Sequence, residues 1–227
     1  MSLFPMHQIL NNRYEVIKLI NEGYFSLIYA AKELDSHSEV AVKQLKYEDD
    51  SEMKNEFEIM IRLAPFDYIP TPLKFGVNPD NSSFFIISME GKSLYELQAE
   101  NNNNKFTSNT TTLILLHSLV AIKSVHESGI AHGDISFKNV GVPNSAGKKR
   151  IILYDFGCAV PADPISTHRD IMDVLNVTEQ VSIRNRTLKD CCDEFEGSTG
   201  TTVNDLIKMI SDQPMFNPES PFDWELE

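Results

Sequence analysis

The chain has 227 residues, and its 20 Lys and Arg against 33 Asp and Glu give a net charge of −13. Apolar residues make up 41% and charged residues 23% of it. That composition builds one domain or one two-lobed unit with a real core, and it excludes wholesale disorder and collagen-like repeats. The negative field repels phosphate backbones and anionic lipid, so neither nucleic acid nor a membrane surface is an expected partner. A short basic cluster such as Lys148, Lys149 and Arg150 reads as a solvated turn before a strand.

Three cysteines, Cys158 and the adjacent Cys191 and Cys192, form neither an even disulfide set nor a zinc-type spacing. The first ten residues lack the basic and apolar regions of a secretion signal. The longest apolar stretch, 113–122, is broken by His117 and Ser118 and is shorter than the ~20 residues a bilayer requires. An intracellular setting, cytoplasm or nucleus, is therefore expected, and the Asn-X-Ser/Thr sequences at Asn81, Asn109 and Asn176 read as chance.

In chain order, 14–20, 27–32 and 39–45 read as strands rich in β-branched and aliphatic residues. The run 52–63 has helical spacing, with Met53, Phe57, Met60 and Ile61 on its apolar side, and Pro65, Pro70 and Pro72 end it. Two more strands follow at 73–77 and 84–88. The character then changes: a short helix at 93–100, a polar loop at 101–104, a long apolar helix at 111–127, a buried strand at 151–154 and a helix at 169–181. From Asn217 two prolines and an acidic end predict an extended or poorly ordered tail. The fold class is thus α+β: a β-rich N-lobe at about 14–88, a helical C-lobe at about 92–215 and an acidic tail at 216–227, in one domain.

Four motifs fall in fixed order: INEGYFSLI from Ile20 to Ile28 between two strands, VAVK ending at Lys43 on the third strand, HGDISFKN from His132 to Asn139 after the long helix, and YDFG ending at Gly157 after a buried strand. Singly each is a weak to moderate signal; a lone strand lysine is usually only exposed, and a lone Asp-Phe-Gly is usually a turn. Together, in order and in context, they resemble the protein kinase superfamily over residues 14–180. The resemblance implies a bilobal kinase-like fold and the cofactors ATP and Mg²⁺. It implies that Lys43 holds the nucleotide's α- and β-phosphates and is oriented by a helical carboxylate. Glu56 is the first choice for that carboxylate and Glu58 the runner-up. By the same resemblance Asp134 accepts the proton of the attacking hydroxyl, and Asn139 and Asp155 hold the metal. Residues 84–97 match without a gap the hinge of casein kinase I-like enzymes. That alignment makes Ile87 the gatekeeper, gives the base to backbone groups of Ser88–Glu90, and sandwiches the ring between Ile20, Ile28 and Ala41, with Gly23 in the phosphate loop. An alternative alignment starts the hinge at Met89 and needs a two-residue deletion.

The departures from the pattern carry information too. Asn21 and Ser26 stand where two loop glycines are usual, Gly133 replaces the arginine of His-Arg-Asp, and Ser136 stands where a lysine is usual, the lysine being Lys138. His-Gly-Asp loops occur in small, streamlined kinases. Asp170 reads as the start of a buried helix that anchors the catalytic loop. This leaves 158–169 for an activation segment, with Ser166 and Thr167 its hydroxyl residues, and no room for the usual peptide-docking helices. The expected activity is phosphoryl transfer from Mg-ATP to a Ser or Thr of a protein substrate, constitutively competent and subject at most to abundance or a regulatory partner. A kinase-like nucleotide-binding scaffold and a small-molecule kinase or ATPase are the alternatives.

Overall fold

The computed structural model describes residues 3–46, 50–78, 82–101, 104–144, 151–198, 200–214 and 216–226. Asn81, the basic cluster 148–150 and half of the polar tract 101–104 (Asn102 and Asn103) lie outside them. The chain forms two compact units, Met1–Met89 and Glu90–Glu227.

The first unit is a six-stranded antiparallel sheet with one helix. Its strands are β1 (Ile9–Leu10), β2 (Tyr14–Glu22), β3 (Ser26–Glu33), β4 (Glu39–Leu45), β5 (Pro72–Val77) and β6 (Ser83–Ser88), in the order β1-β2-β3-β4-β6-β5. Alternation sets the faces: Leu27, Tyr29 and Ala31 of β3 point inward with Val40 and Val42 of β4 and Phe84 and Ile86 of β6. Phe85, of opposite parity and opposite Phe75 in the ladder, meets Phe57 of helix α1 (Ser51–Leu63), whose ring also packs on Phe75. Helix α1 buries Met53, Glu56, Ile59, Met60 and Leu63, one stripe at three- and four-residue spacing. Ile61, expected on that stripe, is instead 53% exposed, because it lies one residue beyond Met60 on the helical wheel. The same wheel buries Glu56 and leaves Glu58 outside.

The second unit is built around α3 (Ser108–Glu127), preceded by the short α2 (Leu94–Glu100), whose cap residue Ser93 forms a reciprocal pair with Glu96. Helix α3 is buried on most sides, so its apolar residues run almost continuously from Leu113 to Ile122. Short strands follow: β7 (Ile130–Ala131), β8 (Val140–Gly141), β9 (Ile152–Leu153) and β10 (Val160–Pro161), paired β7 with β10 and β8 with β9. Then come α4 (Pro164–Val181), α5 (Arg186–Gly197) and α6 (Val203–Ser211).

Three expectations are corrected here. Helix α4 begins at Pro164 rather than at residue 169, because Asp163 caps it, accepting from the backbone N–H groups of Ile165 and Ser166, with proline at the first helical position. The segment after Gly157 is therefore six residues shorter than the sequence suggested. Two further helices do fit after α4, each amphipathic and capped, by Asn185 and by the Thr202–Asp205 pair respectively. The tail is docked rather than loose. Phe222 is 1% exposed, Trp224 stacks on it at 4.5 Å and meets Phe106 edge-on, and Asp223 caps α3 by accepting from the Thr107 N–H at 2.7 Å and the Thr110 hydroxyl at 2.8 Å.

Candidate active site

In the first unit Lys43 lies on β4 between Ile28 of β3 and Phe85 of β6. Its ammonium donates to both carboxylate oxygens of Glu56, each at 2.8 Å, and sits over the Phe85 ring. Both side chains are shielded from solvent, at 13% and 6% exposure. A partly desolvated ion pair of this geometry fixes the ammonium more firmly than an exposed pair would, since the local dielectric is low and both carboxylate oxygens are used. Ala41 is buried opposite Ile87, Ile28 is half-buried, and Ile20 is exposed on β2.

Gly23 lies in the β2–β3 turn, where its N–H donates to Ser26. A Cβ there would meet Ser26 only at ordinary contact distance. The turn itself thus leaves room for a side chain that the sequence does not supply. At the end of β6 the Ser88 N–H donates to the Thr71 carbonyl at 2.9 Å, and the Ser88 hydroxyl accepts from the Thr71 N–H. The Ser88 amide is therefore already engaged, which narrows the backbone groups assigned to a base between Ser88 and Glu90.

In the second unit the loop from His132 to Asn139 is tied down from behind. The Asp170 carboxylate, at 0% exposure on α4, accepts from the backbone N–H of His132 at 2.7 Å and of Gly133 at 2.9 Å, and from His126 Nε2 at 2.8 Å. Burial pushes the Asp170 pKa up, but these donors outweigh it and hold the carboxyl below its ordinary value. His132 packs on Phe156, donates from Nε2 to the Tyr154 carbonyl at 3.0 Å and accepts at Nδ1 from the Asp134 N–H. Burial lowers its pKa, so it stays neutral and structural. The expectation that His132 packs rather than reacts agrees with this geometry.

With the backbone so held, Asp134 is exposed, and Asn139 Nδ2 donates to its Oδ2 at 2.8 Å and to its carbonyl at 3.1 Å. Tyr154 N–H donates to the Asn139 carbonyl, so this loop and the following Asp155 turn are joined by the β8–β9 ladder. Asp155 has φ +60° and ψ +81°, a left-handed conformation that costs a non-glycine residue of order 1 kcal/mol or more, and its Oδ1 accepts from the Gly157 N–H at 3.4 Å. Gly133 also has positive φ, +79°, and a Cβ there would fall 2.4 Å from the Cys158 carbonyl oxygen. The missing arginine is thus a steric matter as well as a missing charge.

Sequence reasoning singled out Asp170 but passed over His126. Its only local signal is a histidine near the end of a long, largely apolar helix. Ser166 and Thr167 fall in the first turn of α4, where both hydroxyls bond to Asp163.

Comparison with known families accords with this arrangement. The protein kinase domain model matches residues 14–180. The chain belongs to the protein kinase family. It is 23% identical over 158 residues to a probable serine/threonine-protein kinase of Dictyostelium discoideum, covering 69% of this chain and 32% of that one. It is 27% identical to casein kinase I homolog 1 of Schizosaccharomyces pombe, covering 66% and 34% respectively. To the probable serine/threonine-protein kinase PknB of Corynebacterium glutamicum it is also 27% identical, over 94% of this chain and 34% of that one. The chain therefore spans about a third of the length of these relatives. A crystal structure of a kinase domain shares the fold with a TM-score of 0.71 at 16% identity, over 93% of this chain and 86% of that one. The bilobal α+β kinase fold is the fold of this protein.

Proposed function

We propose that this kinase-family chain moves the γ-phosphoryl group of Mg-ATP to a Ser or Thr hydroxyl of a protein substrate. The observation that carries the reading is the closed Lys43–Glu56 pair, since it is the arrangement phosphate positioning requires. Ile20, Ile28, Ala41 and Ile87 would line the adenine, with backbone groups between Ser88 and Glu90 holding its edge. Gly23, with no side chain, would let the backbone of the β2–β3 turn approach the phosphates closely.

Among the described residues no three His, Cys, Asp or Glu side chains form a ready-made metal cage. Magnesium is usually held by one or two protein oxygens completed by phosphate and water, so a donor set of Asp155 carboxylate and Asn139 amide oxygen fits it. When bound, Mg-ATP supplies the phosphoryl group and neutralises its developing charge. The protein's part is to hold and orient. Asn139 engages Asp134 Oδ2, which leaves Oδ1 to take the proton from the acceptor hydroxyl. We place the protein inside the cell, where ATP is plentiful.

A second reading, a kinase-like nucleotide-binding scaffold without turnover, is favoured by Asn21 and Ser26 in place of loop glycines. Magnesium-dependent ATP binding followed by thermal shift, beside ³²P transfer to generic protein, separates the two. Binding with transfer supports the kinase. Binding with no transfer and no ATP hydrolysis supports the scaffold, and hydrolysis without protein labelling supports a small-molecule kinase or ATPase.

A further inference from the structure

Tyr154 stands directly before Asp155, and the chemistry assigned above gives its side chain no part. Its main chain belongs to the network behind the catalytic loop, through Asn139 and His132. Its hydroxyl reaches elsewhere. It donates to the Gly91 carbonyl at 3.0 Å, with the Val142 carbonyl a weaker second acceptor at 3.4 Å. Gly91 lies in the segment between β6 and α2, one residue after Glu90, where the backbone groups assigned to the base end.

The surrounding backbone is built to bring this segment close. The Gly91 N–H donates to the Val142 carbonyl at 2.9 Å, the Val142 N–H donates to the Lys92 carbonyl at 3.0 Å, and Ser93 bridges Gly141. Residues 91–93 therefore run antiparallel to β8 and the residue after it. Two glycines permit the approach. A Cβ on Gly91 would fall 2.8 Å from the Val142 carbonyl oxygen, and one on Gly141 would fall 2.6 Å from both the Lys92 carbonyl oxygen and the Tyr154 ring. The ring thus occupies the space that a side chain at position 141 would take. Burial, then the charges of Glu90 and Glu96, hold the phenol well above its ordinary pKa, so it stays a donor at working pH.

We propose that Tyr154 is a positioning residue for the nucleotide: its hydroxyl fixes the spacing between the backbone assigned to the base and the Asn139 and Asp155 side chains assigned to the metal. The proposal rests on the nucleotide assignment of the kinase reading above. A ligand that must touch two sites at once binds tightly only where their separation is set before it arrives. Either half of such a ligand, bound alone, needs no fixed separation. Tyr154 suits this role because one residue joins both ends: its side chain holds Gly91, and its main chain leads into Asp155 and accepts the Asn139 carbonyl at its N–H.

The test measures Kd for Mg-ATP, adenosine and Mg-tripolyphosphate by isothermal titration, beside KM and kcat for transfer. The parent is compared with Tyr154→Phe, Gly91→Ala and the double variant, each checked for folding by near-UV circular dichroism. Tyr154→Phe keeps the ring and removes only the hydroxyl. It should raise Kd and KM for ATP about three- to tenfold, the size of one net hydrogen bond, with kcat within about twofold of the parent. Adenosine and tripolyphosphate should bind as they do to the parent, an outcome that a general loosening of the fold would not give. Gly91→Ala should show the same pattern by forcing the segment off Val142. The double variant should lose no more than the weaker single variant, since both act on one contact. Should Gly91→Ala not fold, the Tyr154→Phe pattern decides alone. Parent-like ATP binding in Tyr154→Phe, an equal loss on either half ligand, or additive losses in the double variant overturns the proposal and leaves the kinase reading standing. A parent that binds ATP but transfers no phosphoryl group removes the kinase reading, and the pattern of Kd values still decides Tyr154. A parent that binds none of the three ligands overturns both.

Discussion

In the first unit a lysine and a glutamate on two facing elements hold one another, and both are assigned a part in handling substrate. In the second unit the exposed Asp134 and Asn139 hold one another only lightly, while a buried carboxylate with no assigned chemistry, Asp170, grips the loop backbone behind them. A side-chain pair needs no special backbone, so it tolerates the ordinary strand and helix of β4 and α1. A loop has no ladder of its own. It must be pinned at its N–H groups, and the pinning residue must be desolvated to stay rigid. The difference predicts that function and stability separate cleanly in the second unit and are merged in the first.

The largest expected effect is purely kinetic. Asp134→Asn should cut phosphoryl transfer by roughly 10²- to 10⁴-fold, with an unchanged melting temperature and retained nucleotide binding. A matching loss of stability would break the separation. Asp170→Ala should do the reverse, removing a buried carboxylate and stranding two backbone N–H groups and His126. A cost of about 3–5 kcal/mol in the second unit is expected, read by denaturant unfolding, with activity falling as a consequence.

Lys43→Met should show both effects at once. Phosphate positioning is lost, so turnover falls strongly, and the buried Glu56 loses its cation, so the first unit unfolds about 2 kcal/mol more easily. Parent-like ATP turnover in this variant would remove the nucleotide assignment of the first unit. Gly133→Ala should cost about 1–3 kcal/mol, through positive φ and the Cys158 carbonyl together, without changing any charge. A neutral result in unfolding would show that the Cys158 turn yields easily.

The smallest effect is a pH slope. Below its ordinary pKa near 6.5 the unfolded His132 binds a proton that the native, buried ring refuses. That contribution to stability is complete above about pH 7 and is lost as pH falls below 6.5. Asp170, held below its ordinary carboxyl value, contributes stability above that value and loses it as pH falls through the lowered one. Melting curves between pH 3 and 8 should show two steps, the upper removed by His132→Asn and the lower by Asp170→Asn.

Because phosphorylation control is expected to be absent, Ser166 and Thr167 need a gentler test than alanine, which would remove the Ser166 half of the reciprocal cap of α4. Phosphatase treatment of the parent leaves the cap in place. Activity unchanged by it agrees with constitutive competence.

The strands of the first unit and the spacing of the four motifs were legible because alternation and catalytic chemistry both act locally. Glu56 could be preferred over Glu58 only weakly from sequence, since that choice depends on which side of α1 meets the sheet. The start of α4 was written plainly in Asp163, Pro164 and Ser166, but the apolar pattern that begins near Ile171 outweighed it. The tail was illegible for a different reason. Prolines and acids describe how a segment behaves alone, and only the Thr107 and Thr110 donors at the start of α3, more than one hundred residues earlier, tell Asp223 where to bind.

That docking has a practical side. Trp224 is the single tryptophan of the chain, and it lies between Phe222 and Phe106, far in sequence from every residue assigned to nucleotide or metal. Intrinsic fluorescence is therefore a built-in reporter of one event, release of the C-terminal segment from α3. Red-shifted emission at denaturant concentrations below the main transition would show the latch opening first. A single coincident transition would make it part of the cooperative core of the second unit.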